Sequence, residues 1–131
     1  ISRAKPGFEI MQGVSVIIND DVESALQPIK QNLALYVGGM GAKSRNFHNE
    51  LIKRMGFEEA AEKIQDLFLA GRKDEATLAV PTELADEISL VGSVDRIKDR
   101  LQAWKETPVT SLLVSTRDID QLRTFAEVVL G

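Results

Sequence analysis

The residues best suited to chemistry in this 131-residue chain lie in one stretch, which holds a glycine cluster, the only histidine and a basic pair. His48 is the obvious candidate for a general acid or base, because histidine is the side chain most often used for proton transfer near neutral pH. It stands beside Phe47, and Glu50 is the only nearby carboxylate at a spacing that could form a catalytic pair. We favour a structural or surface role for this histidine.

The glycine cluster consists of Gly38, Gly39 and Gly41, and it follows an apolar helical run that begins at Leu33. Backbone amides in such a turn could bind a phosphate. The cluster lacks the lysine and serine of a P-loop, however, and it follows a helix where a P-loop follows a strand. Glycine is unfavourable inside a helix, so the pattern predicts a helix end and a turn that lets the next helix pack closely.

Two arginines near predicted helix ends are the remaining candidates for binding. Arg54 follows Lys53 at the end of one helix, and Arg72 follows the glycine that ends the next. Cations at these positions ordinarily complement the helix dipole. Asp20 and Asp21 follow a strand, but a helix cap accounts for both, and no cluster has the spacing of metal ligands. We predict no metal site.

Composition excludes several classes of function. The net charge of −4 argues against a nucleic-acid surface, and the lack of cysteine excludes disulfides and cysteine metal sites. No apolar run approaches the roughly 20 residues that a membrane span needs, and no signal peptide is visible. We therefore expect a cytoplasmic protein with neither a nucleic-acid nor a membrane partner.

Two apolar runs read as strands, one over residues 8–18 and one over residues 109–115. Both are continuous and bounded by turn residues, which is typical of strands buried on both faces of a parallel sheet. Everything between them reads as helix. Helix caps are predicted at Asp20 or Asp21, at Ser93 and at Asp118, and Pro28 is expected to kink or restart the first helix.

The predicted fold class is α/β, mostly helical, with two strands of parallel type. Two buried strands cannot form a doubly covered sheet alone. They fit the carboxy-terminal part of a (β/α)8 TIM barrel of about 250 residues. Residues 1–131 would then be a single segment containing strand 7, a helical insertion, strand 8 and the final helix. The missing amino-terminal methionine also favours a truncated chain. The alternatives are a mainly helical fold and a fragment that assembles as an oligomer.

The order of several short motifs resembles the luciferase-like oxidoreductases, and more narrowly the branch that uses the deazaflavin coenzyme F420. No single motif is diagnostic; the resemblance rests on their order and spacing, and it covers only the carboxy-terminal part of such an enzyme. The motifs are Leu-Tyr-Val-Gly-Gly-Met-Gly at 35–41, Asn-Phe-His-Asn at 46–49, Arg-Met-Gly-Phe at 54–57, Val-Pro-Thr-Glu-Leu at 80–84 and Leu-Val-Gly-Ser at 90–93.

The resemblance implies a barrel that binds its cofactor at the carboxyl ends of the strands. It implies hydride transfer between the reduced deazaflavin and an organic small-molecule substrate. Arg54 and Arg72 would then be the residues to contact the cofactor's phosphate and anionic tail. The residues that face the reacting ring lie mainly on earlier strands, so we assign no catalytic residue to this chain.

Two other functions stay open at this stage. One is an FMN-dependent luciferase-like monooxygenase, since the residues that select the cofactor would lie upstream. The other is a non-catalytic helical module for oligomerisation or interaction, which the many amphipathic helices favour. We expect a homo-oligomer, or association with the missing amino-terminal part.

Overall fold

A computed structural model describes residues 5–131 and shows an α/β chain. Within that range there are three strands in one parallel sheet and seven α-helices, with a π-helical segment directly after the first helix. The elements in chain order are β1 Met11–Ile18, α1 Val22–Ala34, the π-helical segment Leu35–Gly39, α2 Phe47–Arg54, α3 Glu58–Leu69, α4 Lys73–Leu78, α5 Thr82–Glu87, β2 Ser89–Gly92, α6 Val94–Lys105, β3 Ser111–Ser115 and α7 Ile119–Leu130.

The sheet has the order β2-β1-β3, and both of its strand pairs are parallel. The two strands predicted from the sequence, β1 and β3, lie next to each other, with Met11 opposite Ser111 and Ser15 opposite Ser115. The mixed α/β class and the parallel pairing are therefore confirmed.

The sheet also contains a strand that the sequence analysis missed. β2 pairs with the second half of β1, from Ser15 opposite Ser89 to Ile18 opposite Gly92. All four of its residues are buried. The prediction that everything between β1 and β3 is helical was wrong here, because four residues are too few to show a hydrophobic period.

The strands predicted as strands 7 and 8 of a barrel, β1 and β3, lie side by side, as consecutive strands of a (β/α)8 barrel do. β2 pairs with the other edge of β1. The sheet is thus a parallel α/β sheet, and the barrel stays a prediction.

The chain divides into two compact units. The first comprises residues 5–25 and 88–131 of the described part, and it contains the sheet with α6 and α7. Its apolar core joins the sheet to these two helices. The buried members are Val14, Val16, Leu90, Ile97, Leu101 and Phe125.

The second unit comprises residues 26–87 and is helical. Its helices are short, so burial of their apolar residues supplies most of their stability. Pro28 lies inside α1, which continues from Val22 to Ala34 without a restart. The buried apolar residues of the π-helical segment and of α2 to α5 are Val37, Ile52, Ala61, Ile64, Ala76, Leu84 and Ala85.

Candidate functional site

The carboxyl ends of the parallel strands are one candidate region, because open α/β sheets bind ligands there. β2 ends at Gly92, which has a φ of +121°. A Cβ atom at this position would lie 2.6 Å from Cδ of Arg96, so the turn requires glycine. Ser93 follows and caps α6, its Oγ accepting a hydrogen bond from the Arg96 amide at 3.2 Å. The predicted cap at Ser93 is confirmed.

Of the two aspartates after β1, Asp21 caps a helix. Oδ1 of Asp21 accepts a hydrogen bond from the backbone N–H of Ser24 at 3.1 Å, at the start of α1. Oδ1 of Asn19 accepts one from the N–H of Asp21 at 2.9 Å. Asp118 caps α7 in the same way through the N–H of Asp120, at 2.8 Å. Among residues 5–131 no three acidic or histidine side chains are grouped to hold a metal ion.

Two polar side chains at this edge hold the strands and helices together. Nη1 of Arg96 donates a hydrogen bond to the carbonyl of Val91 at 2.6 Å. Oε1 of Gln121 accepts one from the N–H of Ile18 at 2.8 Å, which links α7 to the end of β1. The Arg96 guanidinium and the Gln121 amide therefore have structural roles at this edge. The carboxyl edge has no nucleophile beside a base within the described residues.

The glycine cluster forms a second candidate region, in the helical unit. The π-helical segment ends with Gly38 and Gly39, and both lie against the ring-bearing side chain of Phe68 on α3. A Cβ at Gly38 would lie 2.5 Å from Cβ of Phe68 and 3.2 Å from the carbonyl oxygen of Ile64. Such distances are incompatible with a side chain, so Gly38 and Gly39 permit close packing of a helix. That helix is α3, however, and not α2, the next helix in the chain, which the sequence predicted.

Two buried asparagines bind the carbonyl groups of the π-helical segment. Asn46 caps α2 by accepting a hydrogen bond from the N–H of Asn49, and its Nδ2 donates to the carbonyl of Val37 at 2.9 Å. Nδ2 of Asn49 donates to the carbonyls of Val37 at 3.2 Å and Ala61 at 2.8 Å. Each asparagine is only 2% exposed. No role was predicted for these two residues, although asparagine before a helical run is a recognised cap signal.

His48 lies among aromatic rings. Its imidazole makes edge-to-face contacts with Tyr36, at 4.8 Å between ring centroids, and with Phe47, at 5.6 Å. Within the described residues no carboxylate forms an ion pair with it. These contacts support the structural role favoured from the sequence.

Arg72, the residue before α4, forms an ion pair with Glu75 in the first turn of that helix. Nε of Arg72 donates to Oε1 of Glu75 at 2.7 Å, and Nη2 donates to Oε2 of the same carboxylate. The hydrogen bonds from Arg72 hold the pKa of the Glu75 carboxyl below its usual value, and the same hydrogen bonds raise the pKa of Arg72. A phosphate would have to displace this carboxylate to bind Arg72.

Arg54 is the other cation predicted to bind the cofactor. It is exposed at the carboxyl end of α2, and it forms no ion pair with a carboxylate among residues 5–131. Arg54 precedes α3 and Arg72 follows it. Since α3 has 12 residues, it is about 18 Å long at 1.5 Å per residue. The structure therefore places the two arginines at opposite ends of one helix, too far apart to share a phosphate.

Comparison with known proteins supplies the family context. The sequence profile of the family described as luciferase-like monooxygenase matches residues 1–111. A protein of Mycobacterium tuberculosis is 39% identical over 127 residues and carries the provisional name coenzyme F420-dependent oxidoreductase. The match covers 97% of this chain but only 37% of that protein. No solved structure matches the chain.

None of the helices in residues 5–131 is both long enough and apolar enough to cross a bilayer.

Proposed function

Because the chain belongs to the luciferase-like monooxygenase family, we propose that it is the carboxy-terminal part of a coenzyme F420-dependent oxidoreductase. The observation that carries this proposal is the identity of 39% to a relative named for that coenzyme. The chain spans 37% of that relative's length, so the activity belongs to the complete protein. The deazaflavin would supply hydride transfer to or from an organic substrate.

This chain would contribute packing, part of the cofactor-binding wall and contacts to the cofactor's phosphate. Arg54 fits the last role best, since its guanidinium is exposed and forms no ion pair with a carboxylate in residues 5–131. Arg72 fits it only if the phosphate replaces Glu75. In this proposal the two arginines contact different parts of the anionic tail, or only one of them binds it.

A fluorescence titration of the full-length protein with coenzyme F420 and, separately, with FMN tests the cofactor. We expect F420 to bind more tightly. Tighter binding of FMN would contradict the proposal and favour the second candidate, an FMN-dependent monooxygenase; the description of the family names a monooxygenase.

The arginine assignments are tested in the same titration. Arg54→Gln should weaken F420 binding by roughly tenfold or more, because a charge-assisted hydrogen bond to phosphate is lost. Lys63→Gln removes an exposed cation from the neighbouring helix and is the matched control. Equal effects of the two substitutions would refute a specific phosphate contact at Arg54.

Glu75 allows a test of Arg72 in two directions. Arg72→Gln should weaken binding of the cofactor if the guanidinium contacts phosphate. Glu75→Gln should then strengthen it, because the carboxylate no longer competes for the same donors. If neither substitution changes the affinity, Arg72 serves only to pair with Glu75 at the start of α4.

The cytoplasmic location predicted above is part of this proposal, and fractionation of cells that express the full-length protein would test it.

A further inference from the structure

An apolar stripe lies along the exposed side of α2. Phe47 is 72% exposed, and Leu51 and Met55 are each 42% exposed. These residues are four positions apart and therefore lie on one side of the helix. Asn49 and Ile52 occupy the opposite, buried side. Single exposed apolar residues are common, but a continuous stripe of three marks an interaction surface.

The stripe continues onto neighbouring aromatic rings. His48 contacts Phe47 on one side and Tyr36 on the other, at ring-centroid distances of 5.6 and 4.8 Å. Tyr36 is itself 36% exposed. We call the surface formed by Tyr36, Phe47, His48, Leu51 and Met55 the α2 face.

Two charges border the α2 face along one flank. At about 100° per residue, Glu50 and Arg54 project to the same side of the stripe. Arg54 is exposed and forms no ion pair with a carboxylate among residues 5–131. Glu50 forms a long ion pair with Lys53, at 3.8 Å, but Lys53 lies closer to Glu62, at 3.4 Å. The Glu50 side chain is 57% exposed, so a cation of a partner can reach it.

We propose that the α2 face binds the same face of a second copy of this chain, with the two α2 helices antiparallel about a two-fold axis at Leu51. Phe47 precedes Leu51 by four residues and Met55 follows it by four, so each would pack against the other across the axis. The second helix runs in the opposite direction, so the order of its two border charges is reversed. Glu50 of one copy therefore lies beside Arg54 of the second copy. Because the interface is isologous, each of these contacts forms twice.

The arrangement of charges beside the α2 face indicates that its partner is a second copy of this chain. An acidic residue near the start of the stripe and a basic residue at its end match an antiparallel copy of the same helix. The stripe spans one helix of eight residues, which is about 12 Å long. The interface is therefore smaller than a standard one, and we expect a weak dimer whose population depends on concentration.

Sedimentation equilibrium of charge-reversed chains, without cofactor or phosphate, tests the pairing. Glu50→Arg alone and Arg54→Glu alone each place like charges across the axis, so each should weaken self-association roughly tenfold. A mixture of the two variants should restore association as a heterodimer, since both cross-axis pairs are then opposite in charge. A charge pair within one helix cannot produce that recovery on mixing.

The matched control is the pair Asp120→Arg and Arg123→Glu on α7, which makes the same changes in charge at an exposed ion pair. Mixing these two variants should give no gain in association. The proposal is overturned if the unmodified chain is a monomer at every concentration, as expected if the rest of a longer protein covers this face. It is equally overturned if mixing the α2 variants produces no more heterodimer than mixing the controls.

A cysteine cross-link tests the position of the axis. The chain contains no cysteine, so Leu51→Cys introduces a single thiol that meets its own copy at the two-fold axis. Mild oxidation should give a covalent dimer faster than it does for Leu69→Cys, whose leucine on α3 is 52% exposed. Equal rates for the two variants would refute the antiparallel geometry. Circular dichroism of each variant verifies that it is folded.

Discussion

At the scale of single residues, the most constrained part of the chain is the contact between the π-helical segment and the asparagine pair. The segment's carbonyl groups are buried and need donors that its own wide helix does not supply. Asn46 and Asn49 supply them from α2. The asparagine pair is thus a polar anchor between helices.

Replacing Asn49 with leucine tests that anchor. The substitution removes the hydrogen bonds to the carbonyls of Val37 and Ala61 while keeping a similar volume. We expect the free energy of unfolding to fall by about 2 kcal/mol, because buried acceptors lose their donors. Urea denaturation measures the change. Asn32→Leu, at an exposed position on α1, is the control and should have little effect.

Gly38 gives a second prediction at this scale. Gly38→Ala would place a Cβ 2.5 Å from Cβ of Phe68. The helices must move apart to accommodate it, which should lower the free energy of unfolding by about 2 kcal/mol. Gly13→Ala on β1 is the matched control, since a Cβ there meets no atom within 4 Å. The control should be neutral or slightly stabilising. If thermal unfolding shows equal effects, close packing is not the reason for Gly38.

At the scale of elements, the sequence predicted features whose causes are local. The caps at Asp21, Ser93 and Asp118 are side chains that bind amides two or three residues away, so the neighbouring residues suffice to identify them. Pro28 shows the limit of such reasoning, since α1 continues through it. Burial of the flanking Ala25 and Leu26 shows that packing supports the helix there.

Elements that depend on distant partners were harder to predict. β2 exists because its four residues pair with β1 and are buried on both faces, which nothing within those residues reveals. The prediction that Arg54 and Arg72 contact phosphate likewise rested only on their positions near helix ends. The pairing of Arg72 with Glu75 and the separation of Arg54 from Arg72 by α3 become visible only in three dimensions.

The packing of β2 can be tested with one pair of substitutions. Leu90 is fully buried in β2, whereas Leu113 on β3 is 62% exposed. Leu90→Ala should destabilise the chain by roughly 3 kcal/mol, because it leaves a cavity in the core. Leu113→Ala removes the same atoms from the surface and should cost less than about 0.5 kcal/mol. Similar losses of stability in urea would show that β2 is not a core strand.

At the scale of the whole molecule, the strand order places β1 and β3 side by side, as strands 7 and 8 of the predicted barrel would lie. In the sheet, β3 lies directly beside β1, and Ser15 is opposite Ser115. If β2 lay between them instead, the same residues would be about 9.5 Å apart, twice the spacing of neighbouring strands. A disulfide can bridge Cα atoms only up to about 6.8 Å apart.

This difference makes the topology testable in a chain that has no native cysteine. We expect Ser15→Cys combined with Ser115→Cys to form an intramolecular disulfide on oxidation, detected by mass spectrometry and by its faster migration without reductant. Ser15→Cys with Ser111→Cys shifts one thiol by four residues, or about 13 Å along β3, and should not cross-link. The same cysteine pair in a full-length protein then tests the barrel. Strands 7 and 8 of a barrel are neighbours, so the disulfide should form there too. Its absence in the folded full-length protein would contradict the predicted barrel.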